Sequence, residues 1–319
     1  MAENKHTISD LYQMQSLPLS AKIRMTQNRI RAWYEHFDGD VYVSFSGGKD
    51  STVLVDIITK MGYKDIPLVF CDTGLEYPEI REFVKGYGDR VTWLKPKMNF
   101  KQVIEKYGYP FISKQIAHKI HFVKKNPNSK FAKFFTDETA GSPYNCSKWA
   151  FMLDAPFECS KRCCDIMKHN PAINYHKETG RVPMTAEMAM ESRTRKEQWL
   201  VHGCNGFDLS IPKSTPMAFW TEQDVLWYLK DNDIKIPSVY GDIIEADAQM
   251  ILDCLEQRPT LKTTGLDRTG CMFCGFGIHI EKTQISRFEK MKHSHPKQYE
   301  WIMRPRSGGG WVTKMSLIG

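Results

Sequence analysis

The spacing of apolar residues divides the first part of the chain into alternating strands and helices. Short apolar runs predict strands at "DVYVSF" (40–45), "IPLVFCDTG" (66–74) and "RVTWLKP" (90–96). The segment "STVLVDIITKMG" (51–62) places its apolar residues on one helical face and stops at Gly62, which predicts a helix. A strand, a helix and a strand in this order indicate a βαβ unit, and hence parallel strands covered by helices.

The rest of the pattern adds helices and one irregular region. Apolar residues recur at helical spacing within residues 8–38 and 284–303, and a further helix is predicted to begin at Thr221. Residues 140–170 are rich in cysteine and have no regular period. The predicted fold class is α/β: a doubly wound, mostly parallel sheet flanked by helices, with a cysteine-rich subdomain that binds metal. The glycine-rich segment 306–311 predicts a turn.

This pattern predicts three consecutive regions. They are an amino-terminal helical segment (1–38), a nucleotide-binding α/β domain (39–240) with a cysteine-rich insertion near 140–170, and a carboxyl-terminal region (241–319) with helices and a C-x-x-C motif.

Charge is biased only mildly overall but strongly in one segment. The net charge is +7, from 44 Lys and Arg against 37 Asp and Glu. Between Lys95 and Lys133, however, Glu105 is the only acidic residue, and aromatic residues alternate with the lysines. Such a segment suits a polyanion whose bases stack on the rings, which makes a nucleic acid a candidate partner. The alternative interpretation is a solvated helix face with a buried aromatic side.

The compartment in which the protein resides decides whether its cysteines are expected to form disulfides or to bind metal. The chain has no apolar run of membrane-spanning length, and its first residues are polar and lack the apolar core of a secretory signal. We therefore expect a cytoplasmic protein with no membrane partner; an oligomer is compatible with the sequence. Nine cysteines in a reducing compartment favour metal binding over disulfides.

The segment "SFSGGKDS" (44–51) joins the first predicted strand to the first long helix of the βαβ unit. Two glycines let the backbone approach an anion closely, and successive N–H groups at a helix start attract phosphate. Serine hydroxyls and Lys49 add donors and a full positive charge. The loop lacks the G-x-x-x-x-G-K-[ST] spacing of a Walker A motif. These features suit a pyrophosphate group.

The loop resembles the PP-loop, S-G-G-x-D-S, of the ATP pyrophosphatase superfamily, whose members cleave ATP between the α and β phosphates and adenylate a substrate. Three further segments resemble the phosphoadenosine-phosphosulfate reductase-like branch: "DTGLEYPEI" (72–80), "AEMAMESRTR" (186–195) and "PMAFWTEQDVLWYL" (216–229). The resemblance covers roughly residues 20 to 290.

The resemblance implies site residues. Lys49, Asp50 and Asp72 would be catalytic, with Asp72 near the nucleotide or its metal, and Mg²⁺ would bridge the phosphates of ATP. Arg193 or Arg195 would lie near a phosphate, although solvated arginines are the alternative. The full set implied to bind the nucleotide is Ser44, Ser46, Gly47, Gly48, Lys49, Asp50, Ser51, Thr73, Gly74, Arg193 and Arg195.

Four cysteines form two close pairs, Cys163 with Cys164 and Cys271 with Cys274 in C-x-x-C. Adjacent cysteines cannot easily chelate one ion, but they can bind different irons of one cluster, and four thiolates are the usual complement of a [4Fe–4S] cluster. The arrangement resembles the iron–sulfur ligands of assimilatory adenylyl-sulfate reductases and of DNA phosphorothioation ATP pyrophosphatases. A structural zinc ion with four thiolates is the alternative. Cys146 and Cys159 are candidates for further ligands or for a persulfide-carrying thiol.

Two departures from the sulfonucleotide reductases bear on the reaction. Their PP-loop is usually degenerate, whereas "SGGKDS" is intact. They also carry a catalytic E-C-G-x-H tail, whereas no cysteine follows Cys274 here, so either the tail was removed or the reductase reaction is absent. The leading hypothesis is therefore an ATP pyrophosphatase with an iron–sulfur cluster that adenylates an acceptor for sulfur transfer. The alternatives are a reductase of adenylyl sulfate or its 3′-phosphorylated form, supplied by a thioredoxin-like reductant, and a nucleotide-binding regulatory module without turnover. The sulfur donor is not predicted.

Overall fold

A computed structural model of the chain describes residues 4–246, 258–278 and 286–304. Among these residues the α-helices are α1 (Ile8–Gln15), α2 (Leu19–His36), α3 (Lys49–Lys60), α4 (Pro78–Lys85), α5 (Phe100–Tyr107), α6 (Lys114–Lys125), α7 (Arg162–Cys164), α8 (Asn170–Thr179), α9 (Arg193–His202), α10 (Glu222–Asp231), α11 (Arg287–Ser294) and α12 (Pro296–Met303). The strands are β1 (Val41–Ser44), β2 (Leu68–Cys71), β3 (Val91–Leu94), β4 (Phe111–Ile112), β5 (Val182–Met184), β6 (Asn205–Gly206), β7 (Lys213–Ser214), β8 (Ile243–Glu245), β9 (Leu261–Thr263) and β10 (Gly275–Phe276).

Two compact units alternate along the chain. The first, here the sheet unit, comprises Met1–Asp72, Glu76–Lys95 and Ala172–Gly270. The second, here the cysteine unit, comprises Thr73–Leu75, Pro96–Pro171 and Cys271–Gly319. This division differs from the three consecutive regions predicted from the sequence. The cysteine-rich segment groups with the carboxyl-terminal part of the chain because long crossovers between parallel strands let the chain leave the sheet and return to it.

The sheet unit is built on a six-stranded sheet in the order β3-β2-β1-β5-β7-β6. All neighbouring strands are parallel except β6 and β7, which are antiparallel. Central strands of such a sheet are covered on both faces, and Val41, Val43 and Leu68 are accordingly fully buried. The mostly parallel, doubly wound sheet predicted from the apolar runs is confirmed. The chain proceeds from β1 to β3 on one side and resumes with β5 on the other, so the strand order reverses at β1.

Helix α3 begins directly after the glycine loop, which connects it to β1, and its packing helps to hold the loop in place. Its apolar residues Val53, Leu54, Ile57 and Ile58 are buried, as their helical spacing predicts. The helix ends before Gly62, which has φ +92°.

The predicted amino-terminal helix is two helices, α1 and α2. Pro18 lies between them and caps α2 without a side-chain hydrogen bond. The predicted helix over 284–303 is likewise divided where Pro296 begins α12. Residues 284–285, the predicted turn at 306–311 and Cys254 lie outside the described residues. Among those that are described, none of the helices combines the length and apolar character that crossing a membrane requires.

The cysteine unit contains short helices and a two-stranded parallel sheet of β4 and β10. Its adjacent cysteines lie in α7, which continues as a wide π-helical turn over Asp165–His169 and then as α8. Pro171 has no N–H to donate within this helix, which accounts for a widened turn directly before it. Wide turns of this kind are frequent at functional sites.

Candidate functional site

The glycine loop lies at the carboxyl end of β1, where open α/β sheets bind ligands. Gly47 has φ +70°, a left-handed conformation that side chains disfavour. A Cβ atom there would lie 2.6 Å from Cγ2 of Val84 and 2.9 Å from Cγ2 of Ile80. The position therefore requires glycine both for its conformation and for its lack of volume.

Side-chain hydroxyls hold the loop in shape. The Ser46 hydroxyl accepts a hydrogen bond from the N–H of Gly48 at 3.3 Å and lies 3.0 Å from the Ser51 hydroxyl. Ser51 and Thr52 each donate to the carbonyl of Gly48 at 3.0 Å. Ser44 is different, because it is the last residue of β1 and its side chain is exposed. The serines of the loop thus form a network around the start of α3.

Lys49 is buried, with 3% of its surface exposed. Its ammonium group forms an ion pair with Glu222 Oε1 at 2.9 Å and donates to the carbonyl of Asp267. Its N–H donates to the Tyr240 hydroxyl at 3.4 Å, and that hydroxyl lies 2.7 Å from Thr269 Oγ1. Burial raises the pKa of Tyr240 to about 12, so the phenol keeps its proton at neutral pH.

Asp50 follows in the first turn of α3. Burial raises the pKa of its carboxyl, and the charge of Lys49 opposes this shift. Glu191 and Glu222 raise the pKa further and Arg268 lowers it, which places these charges near Asp50. Within the described residues, Asp50 Oδ1 is buried without a hydrogen-bond partner. A buried acceptor of this kind is costly unless a ligand, ion or water meets it.

Asp72 directly follows β2, at the same sheet edge as the glycine loop. It is largely buried and pairs with Arg81 at 2.9 Å. Thr73 and Gly74 belong to the cysteine unit. There the Thr73 hydroxyl accepts from the N–H of Leu75 at 3.1 Å, and Gly74 has φ +73°.

The two predicted arginines lie at the start of α9 and differ in their surroundings. Arg193 is 84% exposed and pairs with Glu197 at 2.7 Å. Arg195 pairs with Glu191 and lies 3.6 Å from Glu187. The charge of Glu191 raises the pKa of Asp50 in the glycine loop, so the ion pair of Arg195 with Glu191 lies within electrostatic reach of the loop. Arg193 faces solvent instead.

Sequence reasoning missed several residues around the loop: Glu191, Glu222, Tyr240, Asp267, Arg268 and Thr269. Glu191 and Glu222 lie inside segments that carry the family resemblance, so these two acidic residues could have been predicted as neighbours of the loop. The others come from 240–269, where no periodicity marks them. Only tertiary structure brings this segment to the start of α3.

All four predicted metal ligands line one cavity of the cysteine unit. The cavity encloses about 320 Å³ not filled by protein atoms, part of it open to solvent. Its apolar lining includes Phe100, Met167 and Phe273. The lining residues with thiols are Cys163, Cys164, Cys271 and Cys274.

The thiols interact electrostatically. Burial raises the pKa of Cys163, and the other three cysteines raise it further. Burial also raises the pKa of Cys274, while Arg287 and Lys168 lower it. In the parts of the chain that the structure describes, no three Cys, His, Asp or Glu side chains converge closely enough to hold a single metal ion. Four cysteines around one cavity are nevertheless the donor set that thiolate-bound metal groups use.

The remaining candidate thiols do not belong to this lining. Cys146 is buried, accepts from the Lys119 ammonium at 3.5 Å and donates to the carbonyl of Tyr144 at 3.3 Å. Cys159 is fully buried, and burial raises its pKa to about 12. None of the cysteines that the structure describes forms a disulfide.

The fold is that of an α/β protein with a glycine-rich turn at the reversal point of its sheet. The chain belongs to the family of the phosphoadenosine phosphosulfate reductase domain, whose sequence profile matches residues 40–275.

Individual relatives match parts of the chain. An adenosine 5′-phosphosulfate reductase of Staphylococcus epidermidis is 25% identical over 202 residues, which span 63% of this chain and 65% of the relative. An uncharacterized protein of Methanocaldococcus jannaschii is 39% identical over 85 residues, which span 25% of this chain and 18% of the relative. The chain thus spans less than two thirds of the length of both relatives. A phosphoadenylyl-sulfate reductase from Candida auris, solved as a phosphate complex, aligns with a TM-score of 0.40 and 18% identity over 73% of this chain and 90% of its own.

Proposed function

We propose that the protein is an ATP pyrophosphatase that adenylates an acceptor for sulfur transfer. The observation that carries the proposal is the complete S-G-G-K-D-S loop at the carboxyl end of β1, with Gly47 in a conformation and a space that exclude a side chain. Such a loop presents backbone N–H groups and the start of α3 to an anion. In the proposed complex it would hold the β and γ phosphates of ATP.

In the proposed reaction, a nucleophilic oxygen of the acceptor forms a bond to the α-phosphorus of ATP. The bond from that phosphorus to the bridging oxygen of the β-phosphate breaks, and pyrophosphate leaves with the electron pair. The acceptor proton passes to solvent or to a carboxylate. Negative charge increases on the leaving pyrophosphate, and Lys49 would stabilise it after exchanging Glu222 for phosphate oxygens.

Carboxylates near the loop support a role for Mg²⁺. The Asp50 carboxylate, whose Oδ1 has no hydrogen-bond partner among the residues that the structure describes, is an oxygen ligand of the type that Mg²⁺ takes together with substrate phosphates. Asp72 offers a second carboxylate at the same sheet edge. Arg195 would meet a further phosphate oxygen after releasing Glu191. Arg193 faces solvent, which supports a lesser role for it.

In this proposal the cysteine cavity holds a [4Fe–4S] cluster, with zinc as the alternative, because adjacent cysteines such as Cys163 and Cys164 bind different irons more easily than they chelate one ion. Each of four thiolates binds a different iron of such a cluster, so its ligands lie further apart than those of one tetrahedral ion. The cluster would be held by Cys163, Cys164, Cys271 and Cys274, and it would supply a one-electron redox centre. Cysteines that bind a metal group need a reducing compartment to remain thiolates, so the proposed cluster favours the cytoplasm.

A second candidate function is the reduction of adenylyl sulfate or its 3′-phosphorylated form to sulfite. The observation that favours it is the similarity to a relative named adenosine 5′-phosphosulfate reductase. That reaction consumes two electrons, which a thioredoxin-like reductant would supply. It requires binding of a nucleotide that is already activated, so it makes no use of pyrophosphate release.

The two functions are separated by their products. Purified protein with ATP and Mg²⁺ is expected to release AMP and pyrophosphate, with water or an added acceptor. We expect Lys49→Ala to lower this rate by about 10²–10³-fold, as for other groups that stabilise charge in a transition state. Lys60→Ala, in the same helix but half exposed and paired with Asp56, should leave the rate unchanged.

Two results would overturn the proposal. Release of sulfite from adenylyl sulfate with thioredoxin, without pyrophosphate from ATP, would establish the second candidate. Binding of ATP without turnover under all conditions would indicate a regulatory module.

A further inference from the structure

One face of helix α6 carries cations and aromatic rings toward solvent. Lys114, His118, Phe122 and Lys125 are exposed and recur every third or fourth residue. The opposite face is buried through Ala117, Ile120 and Val123. The helix is thus anchored in the unit by its apolar side.

The exposed face continues into a connected row of four aromatic rings. Phe122 meets Phe131 with ring centroids 5.3 Å apart, Phe131 meets Phe134 at 6.2 Å, and Phe134 meets Tyr144 at 6.1 Å. The two ends of this row are accessible, since Phe122 is 38% and Tyr144 63% exposed. We call Phe122, Phe131, Phe134 and Tyr144 the aromatic row.

Lysines lie over this aromatic row. The Lys119 ammonium is 4.4 Å from the centroid of Phe134 and 5.7 Å from that of Tyr144. Lys130 lies over Phe131 and Lys133 over Phe134, each at 5.9 Å. Lys130 and Lys133 are exposed, so their ammonium groups are available to solvent and to an anion.

His118 lies beside the aromatic row, with its ring centroid 6.4 Å from those of Phe122 and Phe131. Burial lowers the pKa of its imidazole, and the charges of Lys161 and His121 lower it further, while Asp165 raises it. At neutral pH the ring therefore adds a stacking surface rather than a charge.

We propose that the aromatic row and its lysines bind single-stranded nucleic acid. The exposed rings at the two ends of the row, Phe122 and Tyr144, would stack with unpaired bases, and the lysines of the row would meet the phosphates, which is the chemistry of single-strand binding modules. Bases of a duplex are stacked on one another and cannot reach the rings, so we expect single strands to be preferred. Binding does not require ATP; only the idea that the bound strand is the acceptor rests on the proposed function.

The test is fluorescence anisotropy of the full chain with a labelled oligodeoxythymidylate of about 20 nucleotides, longer than the usual site of a single-strand module. No ATP is added to this assay. Phe122→Ala with Tyr144→Ala is expected to weaken binding by about tenfold or more, as loss of stacked bases does. The matched control is Phe151→Ala, which removes a ring of similar exposure, 43%, outside the row and should have no effect.

Charge is tested separately. Lys130→Gln with Lys133→Gln should flatten the dependence of log Kd on log salt by about 0.7 for each phosphate that the variant no longer neutralises. The control Lys101→Gln removes an exposed lysine that pairs with Glu105 and should leave the slope unchanged. Thermal unfolding of each variant should match that of the parent protein, because the removed groups are at least partly exposed.

Three results would overturn the inference: equal binding of a duplex of the same length, equal loss of affinity in Phe151→Ala, or binding to vesicles of phosphatidylcholine and phosphatidylserine in place of the oligonucleotide. The outcome is independent of ATP turnover. Pyrophosphate release without oligonucleotide binding removes only this inference, and oligonucleotide binding without pyrophosphate release removes only the proposed ATP chemistry.

Discussion

The glycine loop of the sheet unit takes its key side chains from consecutive residues between Ser46 and Ser51, whereas the cysteine cavity takes its thiols from two segments separated by residues 172–270. The loop is shaped by backbone conformation and by hydroxyls two to five residues apart. The cavity is shaped by packing of α7 against a distant turn. A motif of consecutive residues can be identified from the sequence without knowledge of the fold. A cavity lined by thiols from distant segments can be identified only once the tertiary structure is known.

The largest effect is expected at the cavity. Cys271→Ser removes one of four thiolates, so iron content should fall from about four per chain to near zero, since clusters of this type use four cysteines. Iron and labile sulfide of anaerobically purified protein measure this directly. Cys204→Ser, which changes a buried thiol of the sheet unit, should retain the iron. Colourless parent protein with one zinc would contradict the cluster.

The next largest effect is expected from adding a side chain at Gly47 in the glycine loop. Gly47→Ala is expected to lower the free energy of unfolding by about 2–5 kcal/mol, because a left-handed residue costs about 1–2 kcal/mol and an overpacked contact about 1–3 kcal/mol. ATP binding, measured by calorimetry, should be lost. Gly180→Ala isolates the backbone contribution, because Gly180 has φ +74° with nothing within 4 Å of an added Cβ. Equal destabilisation of the two variants would show that space at Gly47 is unimportant.

A smaller effect concerns the charge of Asp50. Its pKa is raised by burial above the ordinary value of 3.8, so the folded chain keeps a proton that the unfolded chain releases. Stability therefore falls as pH rises from that ordinary value through the raised pKa, and the loss is complete above it. Asp50→Asn should stabilise the ligand-free protein at pH 7 by on the order of 1 kcal/mol and flatten this pH dependence.

The measurement is thermal unfolding between pH 4 and 8, and the control is Asp208→Asn, which changes an 85% exposed carboxylate. Unchanged stability in Asp50→Asn would mean that the carboxylate is solvated or paired in solution.

The smallest effect is expected from substitution of Glu222, whose carboxylate forms an ion pair with the Lys49 ammonium group. Glu222→Gln removes a competitor for phosphate oxygens, so pyrophosphate should bind about two- to fivefold more tightly, in keeping with the strength of a partly exposed ion pair. Calorimetric titration with pyrophosphate checks this. Glu82→Gln breaks an exposed pair with Lys85 and should not change the affinity. Weaker binding in Glu222→Gln would show that Glu222 positions the lysine instead of competing for it.

Secondary structure was predicted well wherever the apolar period was long or the strand was central. Strands β1 to β3 and helices α3 and α10 lie within the predicted segments or within two residues of them, and Thr221 caps α10 as expected. The prediction was wrong where one period ran across a proline, at Pro18 and Pro296, because apolar spacing continues through a break that the backbone cannot follow.

Sequence alone determined the glycine loop, the βαβ units around it and the identity of the four thiols, because each depends on residues close in sequence. The sequence also identified the lysine-rich segment, but it did not determine whether the aromatic residues of that segment are buried or contact one another. Tertiary structure decided that Glu222, Asp267 and Tyr240 reach Lys49, that Asp50 is buried, and that the two cysteine pairs line one cavity. These contacts join segments far apart in the chain. Burial and charge act through space, so no local pattern of residues encodes them.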